Sequence, residues 1–187
     1  MTALGAPALL TPEPVVKALL EGEQVVDFRP GQSDRLAGAH THFWLCPTPI
    51  DAGSLKPAYR LSRELSGAGD RAPSPTIEGW AELVGLGSLT DRSKLADLDS
   101  KTVLALSQLE AWMEQGGLTV LGLRVHRLIE PLELTGSIPA GEDGWARLEG
   151  LPAEPAGAKS ETALSDVAFR VKLSGVADAL PGGLTPL

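Results

Sequence analysis

Two histidines and the only cysteine of the chain stand close together, at His40, His42 and Cys46. On an extended strand these positions emerge on one face, and imidazole and thiolate groups bind zinc and other transition metals. A strand rises about 3.3 Å per residue, so one ion cannot touch all three side chains. His40 and His42 alone could share an ion with Asp27 as a third ligand, as in a metal-dependent hydrolase or nuclease. The alternative is a polar strand face with two hydrogen-bonded histidines.

Cys46 could also serve as a nucleophile activated by a histidine. A single cysteine in an apolar segment is more typical of a buried core residue. Asp27 could form an acid–base pair with His40 or His42, although the spacing does not require it. The chain has no P-loop, Rossmann glycine pattern, HExxH, GxSxG or CxxC. The residues therefore predict no cofactor and leave open whether the protein is an enzyme.

Basic and aromatic side chains occur where a polyanion could be held. Arg124 and His126 share one face of the longest predicted strand, and an arginine in such a strand needs either a bound anion or a carboxylate such as Glu82. Aromatic rings beside basic groups can stack on bases. The predicted anion-binding residues are Arg29, His40, Lys56, Arg60 and Arg124. The predicted stacking residues are Trp44, Tyr59 and Trp80.

The charge balance limits such binding to a local site. The net charge is -8, whereas proteins that bind nucleic acid over a broad surface are usually basic. Residues 1–75 carry 7 Lys and Arg against 8 Asp and Glu, so most of the excess acidity lies in residues 76–187. A basic groove is therefore more plausible in the first part of the chain.

The remaining composition predicts a protein of the cytoplasm. A lone cysteine excludes an internal disulfide framework, the N-terminus does not resemble a signal peptide, and no apolar run is long enough to cross a membrane. The oligomeric state stays open. The acidic, proline-containing second half allows another function, a protein-interaction module with Trp80 or Trp112 exposed.

Hydrophobic periodicity and turn residues divide the chain into short elements. Thr11 is predicted to cap the first helix and Ser165 the last. Glu78, Trp80 and Glu82 are predicted to share a partly wet strand face. The predicted helices are 12–21, 55–65, 90–98 (capped by Thr90), 101–115 (capped by Ser100) and one from Ser165 through Leu180. The predicted strands are 24–28, 41–46, 76–84, 118–130 and 145–148.

These elements predict an α+β fold with a mixed or barrel-like β-sheet and flanking helices. The length suits a single domain over residues 1–187, with a core of about 10–180 and loops at 66–75 and 151–161. The strands at 24–28 and 41–46 could pair as a hairpin. The tail after Leu180 is expected to fray.

Five segments in order and spacing resemble the domain of unknown function 1802 family of bacterial proteins. The resemblance covers about residues 10–175 and includes a C-terminal helix, ALSDVAFRVKL (163–173). It implies an association with nucleic acid, because members of the family are sometimes found with restriction-type nuclease domains. The segments are GEQVVDFRPG (22–31), HTHFWLCPT (40–48), LKPAYR (55–60), IEGWAEL (77–83) and LRVHRLIEP (123–131).

The chain departs from that family at two places. The family tends to have Arg-Lys-Gly-Gly after the first strand, whereas this chain has Arg29-Pro30-Gly31 and lacks one basic residue. The family's acidic residue before its histidine is Ala39 here. If that acid were catalytic, this member would be inactive.

A second resemblance concerns the fold. Gly22-x-Gln24-x-x-Asp27-x-Arg29 is similar to the Gly-x-Lys-x-x-Glu-x-Arg motif of ASCH domains, which are β-barrels similar to the RNA-binding PUA domains. Gln24 and Asp27 depart from that motif, so no role of its lysine or glutamate transfers to them. Fold alone does not fix function.

The sequence thus favours a module that binds nucleic acid or a phosphate-bearing ligand. The rival hypotheses are a metal-dependent hydrolase or nuclease using His40, His42 and Asp27, and a protein-interaction module.

Overall fold

One mixed β-sheet forms the centre of the protein. The computed structural model describes residues 5–31, 40–65, 76–134, 138 and 144–187. The strands are β1 (Ala6–Pro12), β2 (Val26–Pro30), β3 (His42–Thr48), β4 (Thr76–Leu89), β5 (Leu118–Glu133), β6 (Trp145–Leu148), β7 (Ser160–Thr162) and β8 (Thr185–Pro186). Within the described residues their order is β2-β5-β4-β3-β1-β6, with β7 beside β5 and β8 beside β4. β1 and β3 are parallel, and the other pairs are antiparallel.

Five α-helices in the described part of the chain flank this sheet. They are α1 (Glu13–Leu20), α2 (Pro57–Leu65), α3 (Leu95–Asp99), α4 (Leu106–Met113) and α5 (Asp166–Ala177). Backbone pairing does not close the sheet, because β2 and β6 stay at its two ends. The predicted α+β fold with a mixed sheet and flanking helices is confirmed. Among the described residues no helix is both long enough and apolar enough to span a membrane.

The predicted cap at Thr11 is wrong, because Thr11 belongs to β1. It is fully buried and lies opposite Pro47 of the parallel strand β3. α1 begins two residues later, without a side-chain cap. This segment lacks a strand signal because its prolines, Pro7 and Pro12, argue against a strand.

The predicted hairpin between the second and third strands is also wrong. β2 pairs with β5, where Asp27 lies opposite Leu121. β3 lies between β1 and β4 instead. One edge of the long strand β5 pairs with β2 along its first half and with β7 further along. The loop predicted at 66–75 lies outside the described residues, and the loop predicted at 151–161 precedes and enters β7.

The two faces of the sheet bury different clusters. The larger core includes Leu9, Phe43 and Leu123. A smaller cluster lies on the other face of β3, β4 and β5 and contains Trp44, Trp80 and other apolar residues. The Nε1 group of Trp44 donates a hydrogen bond to the carbonyl of Pro152 at 3.0 Å. Trp80 is 5% exposed, whereas Glu78 is exposed, so the predicted partly wet face is buried at Trp80 and open to solvent at Glu78.

The helix boundaries were predicted better at the C-terminal end than in the middle of the chain. Ser165 caps α5, since its Oγ accepts the amide N–H of Ala168 at 3.4 Å. The helix predicted at 101–115 forms only over α4, and Ser100 does not cap it. Asp91, rather than Thr90, caps the 3₁₀ turn Arg92–Lys94 before α3. The tail pairs with β4 through β8 instead of fraying.

Candidate functional site

The predicted anion-binding residues do not form one groove. The ammonium of Lys56 forms an ion pair with Asp99 at 3.4 Å and also donates to the Asp99 carbonyl. Arg60 donates its Nε–H to the carbonyl of Leu55 at 2.8 Å. No ion pair or hydrogen bond in the described part of the chain links these two residues to Arg29 or Arg124. Lys56 and Arg60 lie around the start of α2, and each is engaged there by its own partner.

Arg124 belongs to a row of polar side chains, here called the histidine row. On neighbouring strands His42 lies opposite Glu82, and Glu82 lies opposite Arg124. His126, two residues along β5, completes the row on the same face. Arg124 pairs with Asp166 rather than with the predicted Glu82.

A stack of rings supports the histidine row. His126 lies parallel to Trp80 with 3.9 Å between ring centroids, and His42 approaches the same indole at 5.7 Å. Burial lowers the pKa of His126, and the charges of Arg124 and His42 lower it further, against an opposing effect of Glu82. The guanidinium of Arg124 lies 5.5 Å from the ring of Phe169. These side chains therefore share one electrostatic environment.

A buried polar group lies on the opposite face of the sheet. The Arg29 side chain is 13% exposed and that of Asp27 is 2% exposed, and the two form an ion pair at 2.5 Å. Nη2 of Arg29 also donates to the Thr11 hydroxyl at 2.8 Å, and that hydroxyl donates to Asp27 at 3.3 Å. The backbone N–H of Phe28 donates to the other Asp27 oxygen at 3.0 Å. Asp27 thus has several partners, as a buried carboxylate requires.

Further basic groups continue from Arg29 along β6. A Cβ atom at Gly144 would overlap Nη1 of Arg29, so the guanidinium lies directly against that backbone. The next residue, Trp145, lies 6.5 Å from His40, centroid to centroid. Arg147 donates to Nε2 of His40 at 3.2 Å and to the carbonyl of Gly5 at 3.0 Å. The name basic cluster is used below for Arg29, His40, Trp145 and Arg147.

Two buried nitrogen atoms of the basic cluster have no hydrogen-bond partner. They are Nε of Arg29 and Nε1 of Trp145. Buried donors in folded proteins are nearly always satisfied, and each exception costs about 1–3 kcal/mol. Burial, and secondarily the positive charge of Arg147, lowers the pKa of His40. His40 therefore accepts the Arg147 hydrogen bond as a neutral imidazole.

The remaining predicted site residues lie elsewhere. Trp44 and Trp80 are buried, so neither offers a free face to a base. Tyr59 is half-buried and donates its hydroxyl to Glu23 at 2.7 Å. Burial raises the pKa of Cys46 to about 11, which is unfavourable for a nucleophile.

The predicted metal ligands are not brought together. His40 contacts Trp145 and Arg147, whereas His42 contacts Trp80 and lies 3.7 Å from Glu154. Asp27 is engaged by Arg29 and Thr11. Within the residues that the structure describes, no group of three or more His, Cys, Asp or Glu side chains is placed to hold an ion. The prediction that His40 and His42 share a strand face is wrong, because β3 begins only at His42.

Sequence reasoning missed Thr11, Gly144, Trp145 and Arg147. Arg147 lies 107 positions from the histidine that it contacts. The one available signal was weak: Trp145 and Arg147 lie two residues apart on a predicted short strand, so their side chains share one face of it.

The fold and its two polar groups define an α+β protein with an open mixed sheet and a basic cluster where the two end strands, β2 and β6, approach each other. The chain belongs to the family described as Domain of unknown function (DUF1802), whose model matches residues 8–174. The predicted family is confirmed. No curated protein matches the chain.

Solved structures similar to this one include ASCH proteins of Zymomonas mobilis. A serine-to-alanine mutant of that protein is 14% identical, with a TM-score of 0.49 over 80% of this chain and 92% of that chain. The ASCH protein itself is 13% identical, with a TM-score of 0.46 over 78% of this chain and 89% of that chain. These values describe a partial likeness in fold and say nothing about function.

Proposed function

We propose that the protein binds nucleic acid or another phosphate-bearing ligand at the basic cluster. The observation that carries this proposal is the pair of buried, unsatisfied donors on Arg29 and Trp145. Phosphate oxygens accept hydrogen bonds readily, and guanidinium groups are the preferred partners of phosphate in proteins. A ligand oxygen at this end of β6 would satisfy donors that the described residues leave without an acceptor.

The balance of charge also favours the basic cluster over the histidine row. Among the described residues, Asp27 is the one carboxylate that pairs with Arg29 or Arg147, and protonated His40 would add a further positive charge. The histidine row instead has Glu82 opposite Arg124, Asp166 paired with Arg124, and Glu154 beside His42. A phosphate would be repelled by the row and attracted by the cluster.

Of the residues predicted from the sequence, Arg29 and His40 stay in the proposed site. Lys56, Arg60 and Arg124 leave it because each is engaged at another place. Arg147 replaces them as the exposed cation, and Arg29 serves as the buried one. The site is small, as the net acidity of the chain requires.

The test is a salt titration of binding to short single-stranded RNA and DNA. We expect log K to fall linearly with log salt, because phosphate contacts release counterions. Arg147→Gln should weaken binding to every sequence and reduce the slope by about 1. Arg170→Gln is the matched control, since Arg170 is an exposed arginine on α5 outside the cluster.

Two outcomes would overturn the proposal. One is the absence of binding to RNA, DNA and inorganic phosphate at low salt. The other is an equal loss of affinity in Arg147→Gln and Arg170→Gln, which would show that the whole surface charge rather than the cluster is responsible.

The alternative of a metal-dependent hydrolase has no geometric support, because its three residues make separate contacts. The interaction-module alternative relied on an exposed tryptophan. Trp80 is buried and Trp112 is half-buried, so no feature of these residues favours that function over binding at the basic cluster.

A further inference from the structure

A cleft separates α1 from the adjoining ends of β3, β4 and β5. Its volume is about 430 Å³, within the usual range of small-molecule sites. The cleft does not include the basic cluster or the histidine row. One wall carries charged residues of α1, and the other carries Glu78 and Arg127 of the sheet, with Pro47 at the end of β3.

An irregularity in the pairing of β4 with β5 builds the sheet side of this cleft. Ile77 lies opposite Leu132 and Gly79 opposite Arg127, so residues 128–131 of β5 bulge out across from Glu78, which has no partner opposite it. Such bulges redirect side chains and are common beside functional sites. A Cβ atom at Gly79 would overlap the Leu20 side chain and lie 2.7 Å from the carbonyl oxygen of His126. Gly79 therefore allows α1 to pack against the bulge.

The cleft contains charges of both signs. The α1 wall presents Glu13, Lys17 and Glu21, which recur every four residues on one helix face. The opposite wall presents Glu78 and Arg127. Within the described part of the chain none of the five forms an ion pair.

The floor between these charges is apolar. Val16 and Leu20 line it at 5% exposure each, and Pro47 is also buried. A purely anionic ligand would meet three carboxylates, and a purely cationic one would meet Lys17 and Arg127. A ligand with both charges and a short aliphatic part matches the walls and the floor together.

We propose that this cleft binds a small zwitterion of the amino-acid class. Arg127 receives the ligand carboxylate, because a guanidinium binds carboxylates in bidentate geometry. Glu78 accepts hydrogen bonds from the ligand ammonium group. The aliphatic side chain of the ligand lies on Val16 and Leu20.

The experiment is calorimetric titration of the full chain with L-leucine, leucinamide and N-acetylleucine. The two analogues each lack one charge of the zwitterion. We expect L-leucine to bind, and both analogues to bind at least about tenfold more weakly, as the loss of one charged hydrogen-bond pair implies. Arg127→Gln and Glu78→Gln should each weaken L-leucine binding by a similar factor, whereas Arg170→Gln should not change it.

Three results would overturn this proposal. They are no binding of L-leucine at millimolar concentration, binding of N-acetylleucine as tight as that of L-leucine, and binding of L-leucine by Arg127→Gln as tight as by the unchanged protein. Because Arg127 and Glu78 are exposed, the variants should fold, and circular dichroism checks this. A negative result at this cleft would not count against ligand binding at the basic cluster, since the two sites share no residue.

Discussion

At the scale of single residues, the ionisation of His40 links the basic cluster to pH. Burial and Arg147 lower its pKa below the ordinary value of 6.5, so it is neutral at pH 7. In the free protein the stability associated with His40 is therefore full above the unfolded-state pKa of 6.5. It is lost as the pH falls through the lower pKa of the folded state. A bound phosphate next to His40 would favour the protonated form.

This predicts that binding of a short RNA strengthens as the pH falls from about 7.5 to about 5.5, because phosphodiesters do not titrate in that range whereas His40 does. The measurement is affinity against pH, and the prediction rests on the proposed function. His40→Gln should flatten the profile, and His42→Gln, in the histidine row, should leave it unchanged. An unaltered profile in His40→Gln would contradict the role of His40.

Tyr59 allows a second prediction, because it is the only tyrosine of the chain. Burial raises its pKa to about 12, with further contributions from the hydrogen bond to Glu23 and from the charges of Glu23 and Glu21. The folded state therefore keeps a proton that the unfolded chain loses above about pH 10. The stability associated with Tyr59 is full below about pH 10 and falls as the pH rises toward 12.

The phenolate absorbance of the folded protein should accordingly titrate with a midpoint near 12. Glu23→Gln should lower the midpoint, although not to the value in urea, because burial is the larger cause. A midpoint near 10 in the folded protein would show that the hydroxyl is neither buried nor bonded to Glu23.

At the scale of elements, the close approach of α1 to Gly79, beside the bulge in β5, fixes the position of α1. Gly79→Ala would place a methyl group against Leu20 and the His126 carbonyl. The leucine can turn away but the backbone oxygen cannot, so we expect a loss of about 1–3 kcal/mol in unfolding free energy. Urea denaturation measures this loss.

Gly157→Ala is the control for that experiment, because a Cβ there meets no atom within 4 Å. It should change stability by no more than about 0.5 kcal/mol. Combining Gly79→Ala with Leu20→Ala should not restore the original stability, because the clash with the backbone remains and a core side chain is lost. Equal stability of Gly79→Ala and the unchanged protein would mean that α1 does not pack this closely.

At the scale of the whole molecule, side chains join strands that backbone pairing leaves apart. β2 is first in the strand order and β1 is fifth, yet Asp27 and Arg29 of β2 bond to Thr11 of β1. Arg29 also lies against Gly144 beside β6. The sheet is therefore curved enough for its two ends to meet through a buried polar group.

This arrangement predicts non-additive mutations. Asp27→Ala should cost about 3–5 kcal/mol, because it leaves the Arg29 guanidinium buried without its carboxylate. The double variant Asp27→Ala with Arg29→Met should cost less than Asp27→Ala alone, since the uncompensated charge is gone. Denaturation of the single and double variants gives the coupling energy. Strictly additive losses would contradict a shared buried pair.

The sequence determined the elements whose signals are local. The apolar run from Leu118 predicted the long strand β5, and Ser165 predicted the start of α5, because periodicity and capping depend on residues a few positions apart. The signal failed at β1, where proline obscured it. It also failed at the segment before α4, which is held by tertiary bonds such as the one from Val103 N–H to Gln24.

Only the tertiary structure decided which strands pair and which site residues meet. Every strand offers the same backbone donors and acceptors, so the sequence of β2 did not specify β5 as its partner. That choice separated Asp27 from His42 and removed the predicted metal site. Packing across the curved sheet then placed Arg29 against Gly144. It also placed Arg147 beside His40, which is 107 positions away in the sequence. The types of the reactive residues were thus set locally, and their grouping was set by long-range packing.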